Sequence, residues 1–332
     1  MNAAGMRAMV LPAGGGPLQA MRLPVPEPGP DDVLLQVAAC GVCRTDLHIV
    51  DGELPPHRRP VVPGHQIVGR VVARGSRVTS LAEGDRVGVP WLGGTCGHCT
   101  YCTRTQENLC DRAVFTGYDR DGGYADYVAA DARYCCPLPA RYDDLHAAPL
   151  LCAGLIGYRA YAMKGDAETI GLYGFGAAAH IIAQVARHAG RRVFAFTRPG
   201  DVTAQAFARS LGAEWAGDST QAPPTMLDAA IIFAADGALV PIALKAVRKG
   251  GSVVCAGIHM SDIPGFAYDD LWGERVIRSV ANLTRADSSS FFRVAEQCEI
   301  KTSPVPFPLA QANEALGALR SGAFTGAAVL LP

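Results

Sequence analysis

Between Cys40 and Gln66 the chain carries Cys43-Arg44-Thr45-Asp46-Leu47-His48 and, beyond a proline-containing loop, Pro63-Gly64-His65-Gln66. Thiol and imidazole are both zinc ligands, and a catalytic zinc takes three protein ligands while one position stays open for water or substrate. The third candidate is Cys152, set between the apolar Leu150-Leu151 and the small Ala153-Gly154, just before the chain changes character. Cys43, His65 and Cys152 would then form an open site of two thiolates and one imidazole. Each alone is weak evidence, because a free cysteine commonly behaves as a small buried hydrophobe. The surroundings of Cys43 strengthen the set: Asp46 can hold a ligand's second nitrogen, and Thr45 and His48 can pass a proton.

A second group of thiols is Cys96-Gly97-His98-Cys99-Thr100-Tyr101-Cys102, joined by Cys110 further along. Four thiolates this close can wrap one tetrahedral ion, and a closed four-thiolate shell has no place for substrate, so the expected role is a structural zinc. The loop is too polar for four coincidental core cysteines. An iron-sulfur cluster is the other group four thiolates can hold. His98 is expected to be exposed rather than a ligand, and the adjacent Cys135-Cys136 are assigned to packing.

The third feature begins with the apolar strand Thr169-Ile170-Gly171-Leu172-Tyr173, followed by Gly174-Phe175-Gly176-Ala177-Ala178-Ala179 and an apolar-periodic helix through Ala189. Gly174 suits a tight turn, Gly176 a close backbone approach to a pyrophosphate, and Ala179 close packing of helix on strand, with Phe175 and Ala177 flanking the approach. A second strand, Arg192 to Phe196, completes the context that a lone glycine motif lacks, and together these features indicate a dinucleotide site. An acidic residue after that strand would bind the ribose hydroxyls of NAD. This chain has Thr197-Arg198-Pro199-Gly200, whose hydroxyl and guanidinium lean toward NADP, while Asp201 keeps NAD open.

The elements that must position these residues fall into two kinds. From Ala8 to Val72, short apolar runs such as Val33 to Val37 and Ile67 to Val72 are bounded by proline and glycine, as in Pro24 to Pro30. This pattern reads as a compact, mostly antiparallel β domain with a barrel-like core, continued through Gly75 and Gly84 to Pro90. From Gly154 onward, alanine-rich helical segments alternate with short apolar strands, the mark of βαβ units on a parallel sheet. Expected elements there include a strand from Leu227 to Phe233, a helix from Val240 to Val247, a Lys249-Gly250-Gly251 turn and a last strand from Val276 to Leu283. The chain then returns to the first domain, ending in a helix from Ala310 to Arg320 and a strand from Ala327 to Leu331. The substrate cleft is expected between the domains, at the carboxyl ends of the parallel strands.

At 332 residues there is room for two domains with separate cores. A formal net charge of −1 argues against nucleic acid or an anionic membrane surface as partner. Residues 1–7 lack a signal-peptide apolar segment, and later apolar runs are broken before membrane-spanning length, so a soluble, cytoplasmic chain is expected. Eleven cysteines, an odd number and clustered, suit metal binding in a reducing compartment better than a disulfide framework.

The run Cys43 to His48, the Gly64-His65 pair and Cys152 resemble the zinc-dependent alcohol dehydrogenases of the medium-chain dehydrogenase/reductase superfamily. The four-thiolate loop is similar to their structural-zinc lobe, and the likeness extends over nearly the whole chain. It implies an α/β fold: a mostly β, GroES-like catalytic domain over 1–152 and 286–332, and a Rossmann domain with a doubly wound parallel sheet over 153–285. It also implies two zinc ions per chain, NADP or alternatively NAD, and a homodimer or homotetramer, for which Val276 to Leu283 is a plausible pairing edge. The implied reaction is reversible hydride transfer between a primary or aromatic alcohol and a nicotinamide, with zinc lowering the pKa of the alcohol. Thr45 would take the hydroxyl proton and pass it through the cofactor ribose to His48. Asp46 would orient His65, and Arg44 would contact a cofactor phosphate.

Two departures stand out. Gln66 replaces the glutamate commonly found beside the metal, leaving that site more positive, and Gly326-Ala327 replaces a common Gly-Arg, so one pyrophosphate contact is missing. Trp91, Leu92, Phe115 and Trp272 are candidates for an apolar substrate wall, consistent with the cinnamyl alcohol dehydrogenase-like branch, and Trp272 could equally serve a subunit contact. Two other functions fit the same scaffold: a non-catalytic zinc-containing nucleotide or redox sensor, and a metal-independent reductase. The Thr45–His48 relay argues against the first, and the retained Cys43, His65 and Cys152 argue against the second.

Overall fold

A computed structural model describes residues 5–324 and 326–332; residues 1–4, where no leader segment was expected, lie outside the described residues. The chain divides into two units: Met1–Cys152 with Asn282–Arg293 and Lys301–Pro332, and Ala153–Ala281 with Val294–Ile300. The sequence places the return to the first unit at 286, whereas the contacts place it at Asn282 and assign Val294–Ile300 to the second unit. Cys298 shows why, since its thiol meets the Gln184 carbonyl at 3.7 Å, within that second unit.

The first unit is built on a sheet in the order Pro304–Pro308, Ala327–Leu331, Asp32–Val42, Gln66–Arg74, Arg86–Val89 and Cys136–Pro137, with Tyr127–Asp131 also paired to Asp32–Val42. Alternation along Asp32–Val42 sends Val33, Leu35 and Val37 into the core, each worth about 1.5–3 kcal/mol of burial. Register then does the positioning. Gly41 pairs with Gln66 in this antiparallel ladder, so Cys43, just past one strand, and His65, just before the next, emerge at the same end. Gly64 precedes His65 with φ +98°, and a Cβ there would meet the Tyr124 ring at 2.4 Å, so only glycine lets the chain turn at this point.

Two short devices complete the scaffold. Cys43 caps the helix Arg44–Val50: its sulfur accepts from the Thr45 N–H, and Asp46 accepts from the Cys43 N–H. Cys152 ends the turn Ala148–Leu151, which is anchored by the fully buried Leu150 and Leu151; the Leu151 side chain occupies the space that a Cβ on Gly88 would need. The loop with the other four thiols hangs from the paired strands Leu92–Gly94 and Val114–Phe115.

The second unit carries a six-stranded parallel sheet. Its order is Trp215–Asp218, Arg192–Thr197, Thr169–Tyr173, Leu227–Ile232, Val247–Cys255 and Val276–Ser279, which in chain order is 3-2-1-4-5-6, the doubly wound dinucleotide-binding arrangement. The buried run Thr169–Tyr173 is flanked on both sides, as a central parallel strand requires.

Two expectations for this unit need correction. Lys249-Gly250-Gly251 forms no free turn but lies inside the strand Val247–Cys255, where Gly250, at φ +72°, bonds to the Gly273 carbonyl while the register shifts opposite Leu227 and Ala229. The last strand stops at Ser279 rather than Leu283, because Asn282 takes a left-handed conformation with φ 54° before the helix Arg285–Gln297. Among the described residues no helix is long and apolar enough to cross a membrane.

Candidate active site

Cys43 Sγ lies 3.2 Å from His65 Nε2 and 3.9 Å from Cys152 Sγ, and the three ligand atoms all fall within 4.8 Å of one another. Tetrahedral zinc with ordinary bond lengths places two sulfurs about 3.8 Å apart and a sulfur and nitrogen about 3.5 Å apart. The donor set and its spacing therefore fit zinc. On its other side His65 Nδ1 meets Asp46 Oδ1 at 3.2 Å, and both residues are fully buried. A carboxylate only accepts, so Nδ1 carries a hydrogen and Nε2 is the nitrogen turned toward Cys43, available to a metal. Asp46 uses its second oxygen on the Cys43 N–H at 2.9 Å, so one carboxylate fixes two of the three candidate ligands.

The electrostatics follow from this crowding. Burial alone would lower the pKa of His65, but the neighbouring Cys43 and Asp46 raise it well above the ordinary histidine range. Cys43 is raised by its contact with Cys152 and by burial. A cation placed among them would replace those protons. Tyr124, not among the sequence candidates, is fully buried beside Asp46. Burial, then the Asp46 charge, push its phenol well above the usual range, and its hydroxyl closes no hydrogen bond among the described residues. Gln66 is also buried, with its amide over Gly41, where an added Cβ would meet Oε1 at 2.8 Å.

The sulfur atoms of Cys96, Cys99, Cys102 and Cys110 likewise lie within 4.8 Å of one another, with Cys96 and Cys102 3.9 Å apart. This set fits a closed zinc site. Backbone N–H groups of His98 and Cys99 bring the Cys96 thiol down to about 5, while burial pushes Cys110 up to about 11. His98 is exposed and tied to the loop by its Nδ1, 2.7 Å from the Cys96 carbonyl. All eleven cysteines are free thiols.

Comparison with known proteins bears on this geometry. Residues 29–140 match the family described as Alcohol dehydrogenase GroES-like domain. A probable alcohol dehydrogenase from Mycobacterium tuberculosis is 48% identical over 328 residues, covering 96% of this chain and 94% of the relative. The chain belongs to the zinc alcohol dehydrogenases of the medium-chain dehydrogenase/reductase superfamily. Two solved structures share its fold at 26% identity. One is an acetophenone reductase from Geotrichum candidum in complex with NAD, with TM-score 0.88 over 100% of this chain and 98% of that one. The other is a cinnamyl alcohol dehydrogenase from Sorghum bicolor, with TM-score 0.85 over 98% and 96%. The protein is an NAD(P)-dependent alcohol dehydrogenase with a GroES-like domain and a doubly wound nucleotide-binding domain.

In this alcohol dehydrogenase the glycine turn is sterically specified. Gly174 has φ +84°, and a Cβ there would sit 2.7 Å from the Ala234 nitrogen, whereas a Cβ on Gly176 would meet nothing within 4 Å. Gly176 caps the helix Ala177–His188 without any side-chain bond, and Ala179 is fully buried against the sheet. The hydroxyl of Thr197 turns inward: it lies 3.4 Å from the Gly217 carbonyl and 3.2 Å from that of Arg198, and it accepts from Gln205 at 3.2 Å. The Asp201 carboxylate caps the helix Val202–Ser210 by accepting from the Ala204 N–H at 2.9 Å. Arg198 is exposed and has no carboxylate partner among the described residues.

The apolar wall takes shape around the triad. Trp91 meets the His65 ring edge-on at 4.9 Å and stacks on Phe115 at 5.1 Å and Tyr118 at 5.8 Å. Tyr118 is not among the sequence candidates, and its ring meets Trp91 from a position with no motif to mark it. The other two sequence candidates differ in exposure. Leu92 is fully buried. Trp272, in the second unit, is 62% exposed, with its ring 5.8 Å from that of Tyr268. Thr45 is buried, Arg44 is exposed, and His48 Nδ1 pairs with the exposed Glu53 carboxylate.

Proposed function

We propose that the protein catalyses reversible oxidation of a primary or aromatic alcohol with NADP, using a zinc ion held by Cys43, His65 and Cys152. The observation that carries this reading is the triad geometry: three donors with zinc spacing, one fixed by a buried carboxylate, with an aromatic ring beside them. When bound, zinc supplies Lewis acidity, lowering the pKa of an alcohol hydroxyl so that its proton can leave near neutral pH. The chain's own residues do the rest. Thr45 accepts the departing proton, and His48, paired with Glu53 at the surface, delivers it to solvent. Asp46 holds His65 in the tautomer that keeps Nε2 available. Trp91, Phe115 and Tyr118 provide flat apolar surface for an aryl or alkenyl substituent. Cys96, Cys99, Cys102 and Cys110 hold a second zinc whose role is to fold the loop.

The cofactor preference rests on what the acidic groups near Arg198 are doing. Asp201 is engaged in capping, and Asp218 accepts from the Gly200 N–H at 3.0 Å and from Gln205 at 2.8 Å. Arg198 is left to meet a 2′-phosphate without a competing carboxylate. Arg44 is proposed to contact a cofactor phosphate. Val276–Ser279 ends the sheet order with Val276 exposed, which supports pairing of two copies as a homodimer or within a homotetramer.

The test is steady-state reduction of benzaldehyde and cinnamaldehyde with NADPH and with NADH, before and after a zinc chelator. Chelator-sensitive turnover favouring NADPH is expected. Preference for NADH would overturn the Arg198 argument alone, and turnover indifferent to metal removal would overturn the zinc mechanism.

A further inference from the structure

The glycine turn is held by a side chain that lies outside the fingerprint itself. His180 sits in the first turn of the helix Ala177–His188, where its backbone N–H bonds to the Gly176 carbonyl at 3.0 Å. Its ring reaches back along the chain, with Nε2 2.9 Å from the Phe175 carbonyl oxygen. A carbonyl oxygen can only accept, so Nε2 carries the hydrogen and donates it. The ring cannot easily swing away, being edge-on to Phe207 at 4.6 Å and tilted against Phe175 at 5.1 Å. Burial lowers its pKa to about 4, so at neutral pH the group is an uncharged donor.

The consequence lies in the peptide group. In a trans peptide the carbonyl oxygen of one residue and the N–H of the next point in opposite directions. Holding the Phe175 oxygen toward the helix therefore turns the Gly176 N–H away from it, and the surroundings of Gly176 are open, since a Cβ there would meet nothing within 4 Å. Gly176, the N-cap, has no side chain to bond the first N–H groups of the helix, which are the groups an anion would meet.

We propose that His180 is a positioning residue for the dinucleotide: by anchoring the Phe175 carbonyl it presents the Gly176 N–H to the cofactor pyrophosphate. This rests on the reading of Gly174 to Ala179 as the cofactor turn. His180 touches no cofactor atom in this account and acts only through the orientation of one peptide group.

The experiment compares Kd for NADPH, from fluorescence titration of the whole enzyme, with kcat and Tm for His180→Phe, His180→Gln and Gly176→Val. His180→Phe keeps a ring against Phe207 and removes the donor; Kd is expected to rise about tenfold, with kcat at saturating cofactor within about twofold. His180→Gln restores an N–H donor and is expected to recover most of that loss. Gly176→Val places a side chain in the open approach and is expected to weaken NADPH more than either. Should His180→Phe not fold, His180→Leu replaces it with the same expectation. Unchanged Kd in His180→Phe, or a glutamine variant no better than phenylalanine, would overturn the positioning role. Unchanged Kd in Gly176→Val would overturn the cofactor turn itself and the inference with it.

Discussion

The first unit holds two groups of thiols that differ in everything except sulfur. Cys43 and Cys152 face a fully buried imidazole, itself fixed by a buried carboxylate, whereas Cys96, Cys99, Cys102 and Cys110 sit on a polar loop among backbone N–H groups. A complete four-thiolate shell needs little else, because its ligands already fill a tetrahedron. A three-ligand site is incomplete by design, and its geometry must come from the protein around it. That explains why Asp46, Thr45 and Tyr124 are buried at one site, while His98 at the other is exposed and bonds only through the loop.

This contrast predicts that damage to the closed lobe appears in stability before activity. Cys102→Ser should lower Tm by roughly 5–10 °C by loosening the loop's metal, while kcat of the remaining folded enzyme stays within about threefold. Differential scanning calorimetry alongside steady-state kinetics checks it. A large loss of kcat with unchanged Tm would mean that the lobe is not merely structural.

Two histidines, His65 and His180, sharpen the comparison. His65, facing Cys43 and Asp46, has its pKa raised, whereas His180, facing a carbonyl, has its pKa lowered to about 4. For His180 the unfolded chain, with pKa about 6.5, takes up the proton first as pH falls. Its stabilising effect is therefore complete above pH 6.5 and is lost as pH falls toward 4. The loss attributable to this residue should reach about 2 kcal/mol by pH 4.5. Urea unfolding at pH 7 and 4.5 should show the wild type losing more stability than His180→Phe, and equal losses would refute this.

A smaller effect probes the support of the open site. Asp46→Asn keeps the shape but removes the charge that orients His65, and should weaken zinc there by about 10- to 100-fold while leaving the lobe's metal in place. Competition with a metal-sensitive chelator dye would resolve the two classes. Equal weakening of both would erase the distinction between the sites.

Much of this was legible in the sequence because the chemistry is local in residue type. Cysteines at close spacing, and a histidine after glycine, declare ligand character wherever the chain folds. The glycine turn was readable because Gly174 needs a conformation open to few other residues. What escaped depends on partners distant in the chain. The hydroxyl of Thr197 looked free beside Arg198, but Gln205 and Gly217 on neighbouring elements engage it. Lys249-Gly250-Gly251 looked like a turn, but it lies within the strand Val247–Cys255, where the Gly250 N–H donates to the Gly273 carbonyl. Trp91 and Leu92 are adjacent and both apolar, and only the folded chain tells that the Trp91 ring meets His65 while Leu92 is fully buried.

The most direct test of the central contrast is zinc content per chain, turnover and Tm measured on one preparation of Cys43→Ser beside the wild type. The account predicts two zinc ions in the wild type and one in the variant, turnover reduced about a thousandfold or more, and Tm nearly unchanged. A variant that has lost one zinc and keeps full turnover would contradict it.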